Sequence, residues 1–290
     1  MLWILFAFLG AFSESMKDVF SKKALNNIKN IDEYVAAWSM RFFALPFLLS
    51  LLLFVEIPVI GDGFWSALLL SGGLNTITTI LYMKALKLSD LSVTVPMVTF
   101  TPLFLLITSP LIVREFPGLF GVLGIILIVT GAYMLNIKKR RDGFFEPFRA
   151  LLHEKGPRLM LCVAFIWSIT SNFDKIGVMN SSPVFWTASL NLFLTMTLLP
   201  VMLLKSQSCA AQVKNNIKAL LPIGFFTAMM HIFIMTALSM TLVAYVISIK
   251  RTNALFAVLW GALFFKEKDV KGRLLGALIM IAGVVLITLF

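Results

Sequence analysis

Lys250 and Arg251 stand side by side in "SIKRTNALF" (248–256), near the middle of an apolar run from Leu242 to Phe265. Such a pair can hold an anionic group. Arginine offers a planar fork that matches a carboxylate or phosphate, and lysine acts as a point charge. A charge at mid-membrane costs about 2.5–3.5 kcal/mol on insertion scales, so it faces a wet cavity or a partner. The plainer alternative is that both cations pair with a carboxylate or with helix C-terminal carbonyls and only lock the bundle. Neighbouring residues lie about 100° apart on a helix, so the two cannot point along one radius. Asn253 follows on the same run and is a third candidate for substrate binding.

Glu14 and Asp18 are one helical turn apart in "AFSESMKDVF" (11–20), with Lys17 between them. A carboxyl desolvated inside a bundle is a natural proton carrier for antiport. The alternative is an internal salt bridge, Glu14 to Lys17 at i,i+3, or a partner for Lys250 or Arg251. Arg41 offers a second anion clamp, or it snorkels to the interface. His231 is an interhelical hydrogen-bonder or a proton relay. Asn75, Asn172 and Asn191 are candidates for cavity or helix–helix contacts. Trp38 and Trp167 either wall a cavity or pack. Asp174 and Lys175 close an apolar run and are expected at its interface.

The elements that must position these groups are spans of a bilayer. The chain has 290 residues, 59% hydrophobic and 13% charged, with 27 Phe and 15 Met. Mean hydropathy is +0.94. Soluble proteins are roughly 45–50% apolar and about 25% charged. The net charge of +11 is not a nucleic-acid footprint, because the basic residues lie in short gaps between apolar runs. Cys162 and Cys209 show no disulfide or metal spacing, and His153 and His231 are isolated. No cofactor is expected. The N-terminus reads as a retained first span, without a charged leader or a cleavage site.

A helix crosses a hydrocarbon core near 30 Å thick with about 20 apolar residues. Ten runs qualify: 1–20, 34–56, 64–86, 91–112, 117–137, 158–178, 183–204, 218–240, 242–265 and 272–290. The longest gap, 137–158, is basic and carries an expected interfacial helix near Phe144–Leu152. The chain also repeats itself. Shifting by 152 lays "ALLLSGG" (67–73) on "ALLPIGF" (219–225), "MKAL" (83–86) on "MTAL" (235–238), and Glu115, Gly124 and Gly131 on Glu267, Gly276 and Gly283. "VFSKKAL" (19–25) lies on "NFDKIGV" (172–178). The expected domains are residues 1–137, a basic connection at 138–157, and residues 158–290. Five spans per half is odd, so the halves enter the membrane inverted, a hallmark of secondary transporters.

Function should concentrate where the repeat breaks. Lys250 and Arg251 match Val98 and Thr99, Asn253 matches Thr101, His231 matches Thr79, and Arg41 matches Asn191. Glu115 and Glu267 match each other, which argues for a structural role. Pro96 and Pro102 are expected to break the fourth span at a gate. Even-numbered gaps hold only Arg114 and Lys175, whereas odd gaps hold most of the basic residues. The positive-inside rule then puts odd gaps in the cytoplasm and both termini outside.

The two five-helix repeats, "FIWSITSNFDK" (165–175) and "SIKRTNALFAVLWGALFFKEK" (248–268) resemble the drug/metabolite transporter superfamily, nearest its ten-helix EamA-type branch. The ninth-span run through Glu267 with the glycines at 272, 276 and 283 is the most specific match. The resemblance implies export or exchange of amino acids, other metabolites or drugs. Sugar-phosphate translocators of that superfamily are similar in using an adjacent Lys-Arg pair on this helix to hold phosphate. A first-helix Glu is also a feature of the half-size multidrug relatives. Two departures stand out. A Trp-Gly pair common in the family's first helix is replaced by "AFSESMKDVF", and relatives are usually drawn with both termini in the cytoplasm.

The expected architecture is all-α: ten transmembrane helices, as two inverted five-helix repeats around a central cavity. The expected activity is secondary transport of small polar metabolites carrying an anionic group. Lys250, Arg251, Asn253, Arg41, His231 and Asn75 would bind substrate, with Glu14 and Asp18 coupling protons. Proton-driven efflux of cationic or lipophilic drugs is the alternative. A membrane-embedded lipid enzyme would need a nucleophile, a metal cluster or paired carboxylates facing one cavity, so no enzyme is expected. The expected partners are a small-molecule substrate and the bilayer of the plasma membrane, with no nucleic acid. Oligomeric state is left open, a monomer included.

Overall fold

The computed structural model describes residues 1–27, 31–88, 95–136, 145, 149, 153–265 and 274–289. Glu267, Gly272, the basic residues 138–141 and most of the expected interfacial helix at 144–152 lie outside them. The described residues contain helices and no strand. In chain order these are α1 (Leu2–Asn27), α2 (Glu33–Phe42), α3 (Leu45–Leu52), α4 (Gly63–Leu88), a 3-10 segment (Val95–Phe100), α5 (Thr101–Ile112) and α6 (Leu119–Asn136). The second half continues with α7 (Lys155–Met179), α8 (Pro183–Lys205), α9 (Cys209–Met240), α10 (Val243–Lys250), α11 (Asn253–Phe265) and α12 (Leu274–Leu289). With α2–α3, the 3-10 segment–α5, and α10–α11 each taken as one broken span, ten spans result.

Local chemistry sets the ends. Asp32 caps α2 by accepting from Tyr34 N. Ser182 caps α8 by accepting from Phe185 N, with Pro183 at the first helical position where its missing N–H costs nothing. Pro46 sits in the first turn of α3 and explains the break after Phe42, because it has no N–H to continue the ladder. The eighth span begins earlier than the apolar pattern indicated. α9 starts at Cys209, so Lys214 and Lys218 lie on the helix rather than in a connection.

Six described stretches are long and apolar enough to cross a membrane: Glu33–Leu52, Gly63–Tyr82, Lys155–Met179, Pro183–Lys205, Cys209–Met240 and Val243–Trp260. Pro96–Ile112, Leu119–Leu135 and Leu275–Leu289 are shorter apolar helices. α1 is long but carries Glu14, Lys17 and Asp18 in its second half, which lowers its hydropathy. The bundle is apolar outside, and its largely apolar core also encloses polar side chains. Leu69, Ile107, Leu111 and Leu278 are exposed, whereas Ser71, Thr78, Thr101, Asn172, Asn191, Thr227 and Ser248 are buried. Lipid, as apolar as leucine, tolerates the first set. The second set needs protein partners.

Packing follows the repeat. α4 lies along α7 and α1 along α9. These pairs are third span on sixth and eighth on first, so the sequence repeat converts one into the other. α6 lies along α12. A methyl group on Gly131 would meet the Gly276 carbonyl oxygen at 2.5 Å, and one on Gly283 would meet the Gly124 oxygen at 2.6 Å. Gly124 matches Gly276 and Gly131 matches Gly283. The two crossings are therefore one contact seen twice, between antiparallel helices related by an in-plane two-fold axis.

Candidate functional site

The fourth and ninth spans are both tightened at matched positions. The fourth is 3-10 over Val95–Phe100, with Pro96 inside it and Pro102 in the first turn of α5. The ninth turns at Arg251–Thr252, where Arg251 N donates to Ser248 O at 3.0 Å and Thr252 N to Ile249 O at 2.9 Å. These are i→i−3 bonds, the tighter winding that often marks a hinge. No proline lies in the ninth span. Lys250 ends α10, where its charge suits the negative end of the helix dipole.

Arg251 reaches from the ninth break to the fourth. Its Nη2 donates to Thr101 Oγ1 at 3.0 Å. The residue is 8% exposed, and its Nε is buried with no hydrogen-bond partner. Lys250 Nζ lies 3.6 Å from Glu14 Oε1. Lys17 Nζ lies 3.9 Å from the same oxygen and 3.4 Å from Asp18 Oδ1. Glu14 Oε2 is buried without a partner. Glu14 is thus held between two ammonium groups, whereas the Asp18 side chain is more than half exposed. The break in α10–α11 makes this possible, because it lets Lys250 turn to α1 while Arg251 turns to α5. The same turn leaves Asn253 half-buried at the start of α11.

Arg41 forms a second polar node. Its Nη1 is 3.0 Å from His231 Nε2 and 3.4 Å from Asn191 Oδ1. His231 Nδ1 lies 3.0 Å from the Thr227 carbonyl oxygen, so the ring proton belongs on Nδ1 and Nε2 accepts from Arg41. Arg41 Nε is buried and unpartnered. Arg41 thus bonds its own repeat partner, Asn191, which places it beside the two-fold axis. Lys250 acts through space on Arg41 and His231, so the two nodes share one electrostatic interior.

Asn75 sits apart from both. Its Nδ2 donates to Ser71 Oγ at 3.1 Å, and Ser71 Oγ donates to Asp174 Oδ1 at 2.6 Å. Asp174 is buried at 8% exposure, held against α4. Adjacent side chains diverge by about 100°: Asp174 turns to α4 while Lys175 turns to Glu115 and Thr241. Trp167 Nε1 donates to Thr78 Oγ1 and Trp38 Nε1 to the Thr195 carbonyl, both at 3.1 Å. Both tryptophans therefore tie helices together.

Lys175 builds a tie at the α9–α10 turn. Its Nζ is 3.0 Å from Glu115 Oε1 and 2.7 Å from the Thr241 carbonyl oxygen. Glu115 Oε2 accepts from Val243 N at 2.7 Å, capping α10 from another part of the chain. Removing this carboxylate strands Lys175 and uncaps α10. Glu115→Ala is expected to cost about 3–5 kcal/mol as a broken, largely buried pair. It should also speed labelling of a cysteine placed at Thr241, with Cys162 and Cys209 removed, by a membrane-impermeant maleimide. Equal labelling rates in both backgrounds would show that this tie closes nothing.

The sequence pattern pointed to the ninth-span cations and to Glu14. It did not single out Thr101, Ser71 or Thr227 as partners, because hydroxyl residues are common at such positions and only the fold selects among them.

The model of the EamA-like transporter family matches residues 1–137 and again residues 155–289. A solved structure, titled only "Crystal structure of protein", superposes with a TM-score of 0.77 at 14% sequence identity. The match covers 99% of this chain and 96% of that one, and it shows the same fold. No curated protein sequence matches. Two inverted halves, matched breaks in the fourth and ninth spans and a double family match agree: the chain belongs to the EamA-like transporter family of the drug/metabolite transporter superfamily.

Proposed function

We propose that this membrane transporter carries small polar solutes with an anionic group, amino acids and organic acids among them, as an exporter or exchanger. The observation that carries this reading is the Glu14–Lys250 pair at 3.6 Å beside an Arg251 whose buried Nε has no partner. Lys250 of the ninth span already holds a carboxylate. A solute carboxylate would replace Glu14 at Lys250 and gain the fork of Arg251. Arg41 would add a second cation through the shared interior, with His231 fixing its orientation, and Asn253 and Asn75 would contact neutral parts of the solute. Rocking of the halves about the breaks in the fourth and ninth spans would expose the site alternately. The chain has no phosphate-binding loop of the ATPase type. On the charge bias, we place it in the plasma membrane with odd-numbered connections in the cytoplasm.

The test is thermal unfolding of detergent-purified protein with amino acids, organic acids, sugar phosphates and lipophilic cations, in wild type and Arg251→Ala. A ligand that binds only the folded state raises the melting point. Anions are expected to stabilise wild type. In the variant, loss of a charge-assisted hydrogen bond, about 1.5–3 kcal/mol, should weaken binding roughly 10- to 100-fold. Stabilisation of both proteins by lipophilic cations alone would favour drug efflux through Glu14 and overturn the anion reading. The position of two lysines on Glu14 weighs against that second reading, since they occupy the carboxylate a cation would need.

A further inference from the structure

Asp174 is the buried carboxyl that the substrate reading leaves unused. It differs from its neighbours. Glu14 is paired with Lys17 and Lys250, and Glu115 with Lys175, whereas Asp174 has no cation at ion-pair distance among the described residues. Its close donor is the Ser71 hydroxyl at 2.6 Å, oriented by Asn75. Trp186, on α8, keeps a buried Nε1 without a hydrogen-bond partner, and Arg41 and Lys250 act on Asp174 only through space.

The elements around it add no nearer charge. α4 presents Ser71 and Asn75. α5 presents Thr108 and Ser109, both buried and neutral. The 3-10 segment Val95–Phe100 has no titratable residue. α9 presents His231, already bonded to Arg41, α2 presents Arg41, and α10 presents Lys250. Lys175 follows in sequence but is committed to Glu115 and Thr241.

An ionised carboxylate buried among neutral groups is costly, and the usual relief is to take a proton. When the proton leaves, the charge must be offset, and Arg41 is a long, adaptable cation within electrostatic reach. We propose that Asp174 is the site at which this transporter loads and unloads a proton, with Arg41 as its counter-charge. This goes beyond the substrate reading and does not depend on which solute is carried.

The test is infrared difference spectroscopy of the full-length protein reconstituted in lipid, without any solute. It follows the C=O stretch of protonated carboxyls as pH is lowered, in wild type, Asp174→Asn, Glu14→Gln and Ser71→Ala. The expected result is a titrating carboxyl band that disappears in Asp174→Asn and persists in Glu14→Gln. In Ser71→Ala, which keeps the carboxyl, the midpoint of that band should move by about one pH unit, since a hydrogen bond to a charged group has gone. Persistence of the band in Asp174→Asn, or its loss only in Glu14→Gln, overturns the assignment. An unmoved midpoint in Ser71→Ala also overturns it. Because no solute is present, these outcomes are separate from those of the anion panel.

Discussion

Glu14→Gln is expected to destabilise the protein by about 3–5 kcal/mol, the typical cost of stripping one partner from a buried ion pair. Glutamine keeps the shape of the side chain, so lost packing contributes little. What remains is Lys250 and Lys17, whose ammonium groups lie 3.6 and 3.9 Å from Glu14 Oε1 with only 19% and 16% of their side chains exposed. Arg251 stands beside them with an unpartnered Nε. Lys17 would keep Asp18 at 3.4 Å, but Lys250 and Arg251 would share one interior without the carboxylate that now faces Lys250. The distinctive part of the prediction is its rescue. A small carboxylate such as acetate should occupy the emptied position and restore stability by mass action, about 2.7 kcal/mol at a hundredfold excess over its dissociation constant. Chloride at equal ionic strength should do less. Melting curves of wild type and variant across acetate and chloride series measure both effects. A variant as stable as wild type would mean that Glu14 does not balance the lysines. A destabilised variant that acetate fails to rescue would mean that the site cannot take a free carboxylate.

Gly131→Leu should prevent recovery of folded, monodisperse protein. Overpacking a well-packed interior costs about 1–3 kcal/mol, occasionally more, and here even the first carbon has no room. A Cβ on Gly131 would lie 2.5 Å from the Gly276 carbonyl oxygen and 2.7 Å from Met280 N. Both are backbone atoms of α12, so no side-chain rotation relieves the clash and the helices must separate. Membrane helices associate through close backbone approach at small residues, so separation forfeits the contact itself. The inverted repeat supplies an internal control. Gly283→Leu should fail in the same way, because a Cβ on Gly283 would lie 2.6 Å from the Gly124 oxygen. Gly73→Leu, where a Cβ would find nothing within 4 Å, should be recovered in good yield. Size-exclusion profiles of the three variants decide the matter. Normal recovery of Gly131→Leu would show that α6 and α12 can part without loss of the fold.

Much of this molecule was legible in its sequence. Long apolar runs must cross a bilayer as helices, because an unpaired backbone amide in hydrocarbon costs several kcal/mol. An internal match with an odd number of spans per half forces inversion. Gly124 and Gly131 could be paired with Gly276 and Gly283 by alignment alone, and the chain's asymmetry pointed to Lys250, Arg251 and Glu14. Each of these inferences needs only the identity of a residue and its place along the chain. The sequence could not say which way a side chain turns, and that decided the site. Asp174 and Lys175 are adjacent and both charged, yet a rotation of about 100° buries one against Ser71 and sends the other to Glu115. Glu14 and Lys250 are far apart in sequence and meet because α10 ends at Lys250, where the turn at Arg251–Thr252 interrupts the ninth span. Spacing along a chain carries helix periodicity, but the partner of a buried charge is fixed only when helices pack, because the energy of a charge depends on what lies within a few ångströms of it.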